Sequence, residues 1–563
     1  MRSFTNPQLK IETWDDLKPY FESLLARPID SLAQYQQWLH DRSELESVVS
    51  EDLAWRYVRM TCDTASKEKT ELYTYFIAHI EPQIAPISNQ LDEKALASPF
   101  RSQLTGSAFG IMFRSIEKNA QIFREANVPL FAEMSQESQK YGAIAGAMTV
   151  ELDGDEVTLQ KAADRLQSTN RQEREAAYRK INDRRKTDSN TLNDLYDKLI
   201  TMRHQVALNA DFANFRDYMF VSLGRFDYTK EDCFAFHDAI ANEVVPLLNQ
   251  LATDRKEKLD IDSLRPWDLS VDKLGKAPLK PFATADELLE KTIACFDKLD
   301  TFLGDCLRVM QKMNRFDLES RKGKAPGGYN YPMEETGYPF IFMNATSNFR
   351  DMITLLHEGG HAVHSVLTKD LELNSFRSFT SEVAELASMS MELITMDYWD
   401  IFFPNPDDLK RAKRQHLEQI IETLPWVAII DKFQHWVYEN PKHSLAQRTA
   451  EWNKIHHSFS ASLIDWEGLQ SYKDIVWQKQ LHLYEVPFYY VEYGIAQLGA
   501  LAVWKNCKEK PQEGLKQYLA ALSLGYTKPI KEIYATAGIR FDFSKDYISE
   551  LMRFVKSELE KLD

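Results

Sequence analysis

His357, Glu358 and His361 form the pattern His-Glu-Gly-Gly-His inside the run Ile353–Leu367. On an α-helix, residues four apart lie about 40° apart around the axis, one turn up. Two neutral imidazoles placed that way can close on a single Zn²⁺ at roughly 2.0–2.1 Å. Glu358 then stands beside the open coordination position, where it can take a proton from a water activated by the metal. The pattern implies a metallohydrolase, most often a peptidase. The competing explanation is a surface helix that carries these residues by accident. Against it, the flank of Ile353, Leu355, Leu356, Val363, Val366 and Leu367 reads as a largely buried helix. Burying two histidines and a glutamate without a partner is costly, and a metal satisfies all three. Gly359 and Gly360 each cost about 1 kcal/mol against alanine within a helix. Their missing side chains leave room beside the metal for a backbone or a substrate.

A third ligand must come from downstream. A His-rich extension would need glycine at 364 and histidine at 367, where the chain has His364 and Leu367. Other zinc peptidases place a glutamate near 380 or 381, here Thr380 and Ser381. The acidic candidates are Glu382, Glu385 and Glu392, within the helical stretch Ser381–Ile394. Glu385 and Glu392 share a face, and Glu382 lies one turn before Glu385. Ala384 and Ala387 permit close packing against the His-bearing helix. On geometry alone any of the three carboxylates qualifies. His364 follows His361 by one turn; because a catalytic zinc keeps an open position, His364 reads as a supporting or packing residue. Glu392 is a candidate to hold an imidazole N–H, and an ordinary surface glutamate is the plain alternative.

The sequence His-Glu-Gly-Gly-His-x-x-His, followed by Ala384-Glu385-Leu386-Ala387-Ser388, resembles the oligoendopeptidase F / thimet oligopeptidase family, peptidase family M3. Two further blocks are similar to that family. One is His482 through Pro487-Phe488-Tyr489-Tyr490 to Tyr493, and the other runs from Gly327-Gly328-Tyr329 to Asn344. The length suggests the shorter, Pz-peptidase-like branch. The resemblance implies one Zn²⁺ per chain held by His357, His361 and Glu385, with Glu358 as general base. It implies that His482 and two tyrosines, Tyr489 and Tyr493, with Tyr490 as the neighbouring alternative, donate hydrogen bonds to the tetrahedral oxyanion. By itself His482 would read as a core histidine among aromatics. The family's architecture, a mainly α, two-lobed, clam-like shell around a deep channel with a small β-sheet beside the zinc helix, limits substrates to short, unstructured peptides cut at internal bonds.

These residues need a scaffold, and helical periodicity dominates the chain. Trp14–Leu25, Ser31–Leu53, Glu71–His79, Leu159–Ile181 and Thr191–Leu208 carry apolar residues at three- and four-residue spacing. Pro and Gly concentrate near 264–281 and 321–339, the expected loops; Gly327 and Gly328 read equally as a flap or as a turn. The charged run Arg171–Arg185 reads as a solvated helix face. The best strand is Tyr338–Ala345, just before the metal helix, offering an edge to which an extended peptide could add. A boundary near residue 190 divides an N-terminal helical lobe, 1–190, from a catalytic domain, 191–563.

Of 563 residues 44% are hydrophobic, enough for large cores, and the formal net charge is −16. That charge argues against nucleic acid or an anionic membrane as partner. Cys62, Cys233, Cys295, Cys306 and Cys507 lie far apart with no C-x-x-C pair, which suits reduced thiols in a cytoplasm. The N-terminal residues lack an apolar signal core, and no run reaches membrane-spanning length. Two rivals remain: a zinc metallocarboxypeptidase, which would need a basic group for the substrate's terminal carboxylate, and a non-catalytic helical peptide-binding protein. Glu358 argues against the second, since a structural site has no use for a carboxylate beside its ligands.

Overall fold

Helices begin at Ser31, Thr229, Thr284, Asn348, Ser444 and Ser544, each of whose side chains accepts a hydrogen bond from the backbone N–H three residues on. Such caps satisfy donors that the first helical turn leaves over. The computed structural model describes residues 2–325 and 327–562, and its fold is mainly α. In chain order, the elements used below are the helices α1 (Leu32–Cys62), α2 (Arg171–Asn209), α3 (Lys230–Ala239), α4 (Ala285–Leu299), α5 (Phe349–Thr368), α6 (Ser381–Ile394), α7 (Pro406–Glu439) and α8 (Tyr490–Glu509), and the strands β1 (Thr149–Leu152), β2 (Asp155–Thr158), β3 (Phe316–Glu319), β4 (Tyr329–Tyr331) and β5 (Phe340–Ala345). The chain divides into two compact units. One is built from Met1–Gln121, Lys280–Lys410 and Gly499–Phe541, the other from Ile122–Leu279, Arg411–Leu498 and Asp542–Asp563. Residue 190, the boundary suggested by the sequence, lies within α2.

Several expected helices form close to their limits, including Trp14–Ala26 and the longer α1. The stretch Leu159–Ile181 does not form one helix. It breaks after a short turn of helix, and Asn170 caps a new start, its side chain accepting from the Gln172 N–H at 3.0 Å. From there α2 runs on through the separate segment expected at Thr191–Leu208. Nor is Arg171–Arg185 wholly a solvated face. Arg171 and Arg174 both reach Asp268, at 2.8 and 2.7 Å, and Arg174 and Asp268 are buried. A buried carboxylate needs that compensation. The hairpin β1–β2 turns at Asp153-Gly154, whose φ values of 57° and 90° suit a two-residue hairpin turn.

In the first unit, β3, β4 and β5 make a sheet in the order β3-β5-β4, with β5 parallel to β3 and antiparallel to β4. The strand before the metal helix is therefore central and paired on both sides, which corrects the expectation that it offers an edge; β3 and β4 hold the edges. The loop before β4 is fastened to the sheet. The covered side chain of Lys324 donates to the Asp317 carbonyl at 2.9 Å, to its carboxylate at 2.8 Å and to the Glu319 carbonyl at 2.8 Å. Asn344 Nδ2 donates to the carbonyls of Ala325 and Gly327 at 2.8 and 2.9 Å.

α5 and α6 pack at backbone contact. A Cβ added at Gly360 would lie 2.7 Å from the Ala387 carbonyl oxygen and 2.7 Å from Ser388 Cα. At Gly359 it would meet the Phe296 ring of α4 at 2.7 Å. The room left by the two glycines is thus taken by backbone and by an aromatic ring. No helix of the described residues is long and apolar enough to cross a membrane.

Gly360→Ala forces two helix backbones apart, whereas Gly359→Ala displaces a side chain. Overpacking of this kind costs about 1–3 kcal/mol, and the gain in helix propensity returns about 1 kcal/mol at most. Urea denaturation should show the larger loss of stability for Gly360→Ala; equal losses would mean that the backbone contact does not limit packing here.

Candidate metal centre

The start of α5 is fixed by a reciprocal cap. Asn348 Oδ1 accepts from the Asp351 N–H at 2.9 Å, and the Asp351 carboxylate accepts from the N–H groups of Thr346 and Asn348. Met352, Leu355, Leu356, Val363 and Val366 bury one face, while His357 and His361 are half-buried on another. Asn330 of β4 donates from Nδ2 to the Glu358 carbonyl at 3.1 Å, tying the sheet to the helix.

Across the Gly360 contact, α6 presents Glu385. Its Oε2 lies 3.3 Å from His357 Nε2 and 3.7 Å from His361 Nε2, and one ligand atom from each of the three residues lies within 4.8 Å of the others. The imidazole rings stand 4.9 Å apart at 86°. Glu382 belongs to neither candidate metal-holding group of the described residues. Its carbonyl accepts from the Tyr534 hydroxyl at 3.1 Å. Glu392 holds the far side of His357, with its Oε1 2.6 Å from Nδ1. A carboxylate accepts, so Nδ1 carries a proton, and Nε2 is the nitrogen left to face Glu385 and a cation. His364 is not part of the cluster; it is fully buried and stacks on Phe379 with ring centroids 3.8 Å apart.

The charges follow from burial and proximity. Burial alone would raise the Glu385 carboxyl, yet His357 and His361 hold it down at about 2, helped by the Ser388 hydroxyl, which donates to Oε2 at 3.1 Å. Burial disfavours a charged His357, but Glu385 and Glu392 overcome it and hold its pKa well above the ordinary histidine value. Burial pushes the His361 imidazole down to about 4 and His364 to about 3. Glu358 is 8% exposed; burial first, with Glu385 and Glu392 adding, pushes its carboxyl up to about 7. The field among these carboxylates favours a positive charge, and the donor set of two ring nitrogens and a carboxylate oxygen suits a divalent cation.

The other predicted residues gather in the second unit. The His482 ring lies 6.1, 4.9 and 5.8 Å from the rings of Tyr489, Tyr490 and Tyr493. Their segment is pinned at Phe488, whose φ of 67° is unusual for an aromatic residue. The Phe488 N–H donates to Gln434 Oε1 at 2.7 Å, and its carbonyl accepts from Arg225, which also reaches Glu492 at 2.9 Å.

Two residues that sequence reasoning missed set the tautomer of His482. The Trp426 indole N–H donates to Gln480 Oε1 at 3.0 Å, and Gln480 Nε2 lies 2.6 Å from His482 Nδ1. An indole nitrogen can only donate, so the amide oxygen faces Trp426 and the amide N–H groups face His482. His482 Nδ1 must therefore accept, and the proton sits on Nε2. No spacing rule pairs a tryptophan and a glutamine 54 residues apart, so the sequence offered no signal for this relay.

The model of Peptidase family M3 matches residues 165–553, and that of the Peptidase M3 N-terminal domain matches residues 4–123. An oligoendopeptidase F homolog of Borreliella burgdorferi is 23% identical over 407 residues, 70% of this chain and 66% of that protein. Oligopeptidase PepF of Bacillus subtilis is 22% identical over 327 residues, 57% of this chain and 48% of its own length. The chain thus spans about two thirds and about half of these relatives. The solved structure of Pz peptidase A with inhibitor 2 superposes at a TM-score of 0.91, with 26% identity and full coverage of both chains.

Gln480→Glu replaces the donor to Nδ1 by an acceptor. Nitrogen-15 correlation spectra of histidine-labelled protein, with His482 assigned by its loss in His482→Gln, should show the Nε2–H tautomer in the parent. In Gln480→Glu a proton should appear on Nδ1. An Nδ1–H tautomer in the parent would refute the relay.

Proposed function

Because the chain belongs to peptidase family M3, in the branch of Pz peptidase A, we propose that it is a zinc-dependent oligoendopeptidase that cuts internal bonds of short, unstructured peptides. The observation that carries this reading is the convergence of His357, His361 and Glu385 on one point, with Glu358 buried beside two of them. His357, His361 and Glu385 hold the ion, and Glu392 keeps the Nε2 lone pair of His357 directed at it. Zn²⁺ held there supplies Lewis acidity toward a water and the scissile carbonyl.

The protein's own groups do the rest. Glu358 takes the proton of the attacking water and returns it to the leaving amine. His482, its Nε2–H enforced through Gln480, donates to the developing oxyanion together with Tyr489 and Tyr493. Tyr490 lies closest to the His482 ring but opens α8, and Tyr493 touches both other tyrosines. Peptide substrates agree with the names of the relatives and with a formal charge of −16, which disfavours nucleic acid. Five cysteines without a disulfide support a reducing, cytoplasmic setting.

An internally quenched, end-blocked peptide of about ten residues tests the reading. The parent protein should cleave it at an internal bond, and Glu358→Gln with matched zinc content should lose about 10²–10⁴-fold in kcat. Release of terminal residues alone from unblocked peptides would point to a carboxypeptidase, and zinc binding without any cleavage to a binding protein. Tyr493→Phe should lower kcat by about 10-fold or more with KM little changed; an unaltered kcat would remove Tyr493 from the oxyanion site.

A further inference from the structure

Cys233 and His237 stand one turn apart on α3, and Asp431 and His435 one turn apart on α7. The Cys233 sulfur, an Asp431 carboxylate oxygen and a His435 ring nitrogen all lie within 4.8 Å of one another. His237 Nε2 is 2.8 Å from Asp431 Oδ2, and His435 Nε2 is 3.3 Å from the same oxygen. Among the described residues only one other group meets this geometry, and it is His357, His361 and Glu385. None of the four residues is more than 2% exposed.

Hydrogen bonding does not account for this cluster. Nδ1 of His435, Nδ1 of His237 and Oδ1 of Asp431 are buried without a hydrogen-bond partner, and His435 Nε2 meets Asp431 Oδ2 only at 3.3 Å, outside hydrogen-bond geometry. Each such atom costs about 1–3 kcal/mol, and an ionised carboxylate costs more. The surroundings are aromatic, with Phe234 and Phe488 at 4.9 and 5.4 Å from the His435 ring. Cys233, Asp431 and His435 offer a donor set of sulfur, oxygen and nitrogen, which borderline-soft divalent cations favour, and His237 holds the Asp431 carboxylate from behind. Charge balances as well. A thiolate, a carboxylate and two neutral imidazoles cancel a 2+ ion, so the loaded site is neutral in its apolar surroundings.

We propose that Cys233, Asp431 and His435, with His237 behind the Asp431 carboxylate, form a second, structural metal site for a divalent cation such as Zn²⁺. Binding releases the Cys233 thiol proton to solvent and uses the lone pair of one nitrogen of the His435 imidazole. Its residues are at most 2% exposed, which leaves no way in for a substrate, so the site braces rather than catalyses. What it braces is α3 against α7, next to Gln434, whose side chain holds the backbone of Phe488 just before Tyr489.

The test uses full-length protein carrying His357→Ala and His361→Ala, which abolish the first centre. After zinc loading and desalting, elemental analysis should find about one equivalent of metal per chain. Loading with Co²⁺ instead should give a thiolate-to-cobalt charge-transfer band in the near ultraviolet. Adding Cys233→Ala should remove both the band and the metal, and chelation should lower the thermal midpoint of the parent double variant. If Cys233→Ala fails to fold, Asp431→Asn takes its place, with the same loss expected. Absence of bound metal in the double variant, or bound cobalt without a thiolate band, would overturn the proposal.

Discussion

The contact of two helix backbones at Gly360 is the constraint from which the first unit's site follows. Glu385 has a short reach, and it meets His357 and His361 only because α6 approaches α5 with no side chain between them. The Ala387 carbonyl at that contact also accepts from the Tyr518 hydroxyl at 2.6 Å, so it is buried and satisfied at once. A helix bearing two consecutive glycines is intrinsically weak, by about 1 kcal/mol for each. Capping at Asn348 and the apolar face from Met352 to Val366 offset that weakness. Stability is thus supplied at the ends and on one face of α5, and the glycines are left for approach.

One device serves both histidine groups with opposite sign. At His357 an acceptor, Glu392, keeps a proton on Nδ1 and leaves Nε2 as the nitrogen available to a cation. At His482 a donor, Gln480, takes the Nδ1 lone pair and leaves Nε2 as a donor. The first arrangement suits a cation, the second an anion. The same side chain is thereby specialised by what stands behind it, which is why a histidine's role cannot be read from its identity alone.

The sequence carried the chemistry better than the architecture. His357, Glu358 and His361 were legible because helical spacing fixes their face, but Glu382, Glu385 and Glu392 stayed equivalent until family resemblance separated them. Only a structure shows Glu385 beside both imidazoles and Glu392 behind one of them, since the distinction depends on how two helices cross. Strand order was illegible for the same reason. Tyr338–Ala345 announces a strand, but nothing local says that β3 and β4 flank it on both sides. Arg174 looked solvated because its partner, Asp268, lies 94 residues away. The turn at Asp153-Gly154, by contrast, was a local signal that could have been read.

Helix α7 connects the remaining features. Along its length it supplies Trp426 to Gln480, Asp431 and His435 to the buried cluster with α3, and Gln434 to Phe488. Gln480 and Phe488 bracket His482, so both ends of the segment carrying that histidine are hung from one helix. A segment held at two points on a rigid rod loses most of its freedom before any substrate arrives, and a donor that needs no reorganisation is worth more at a developing charge than one that must be recruited. The left-handed backbone of Phe488 fits this view. Its conformational cost, of order 1–3 kcal/mol, is tolerated where Gln434 and Arg225 hold the peptide groups on either side of its Cα. Rigidity in α7 therefore passes directly to the placement of His482, and an ion joining α7 to α3 would add to it.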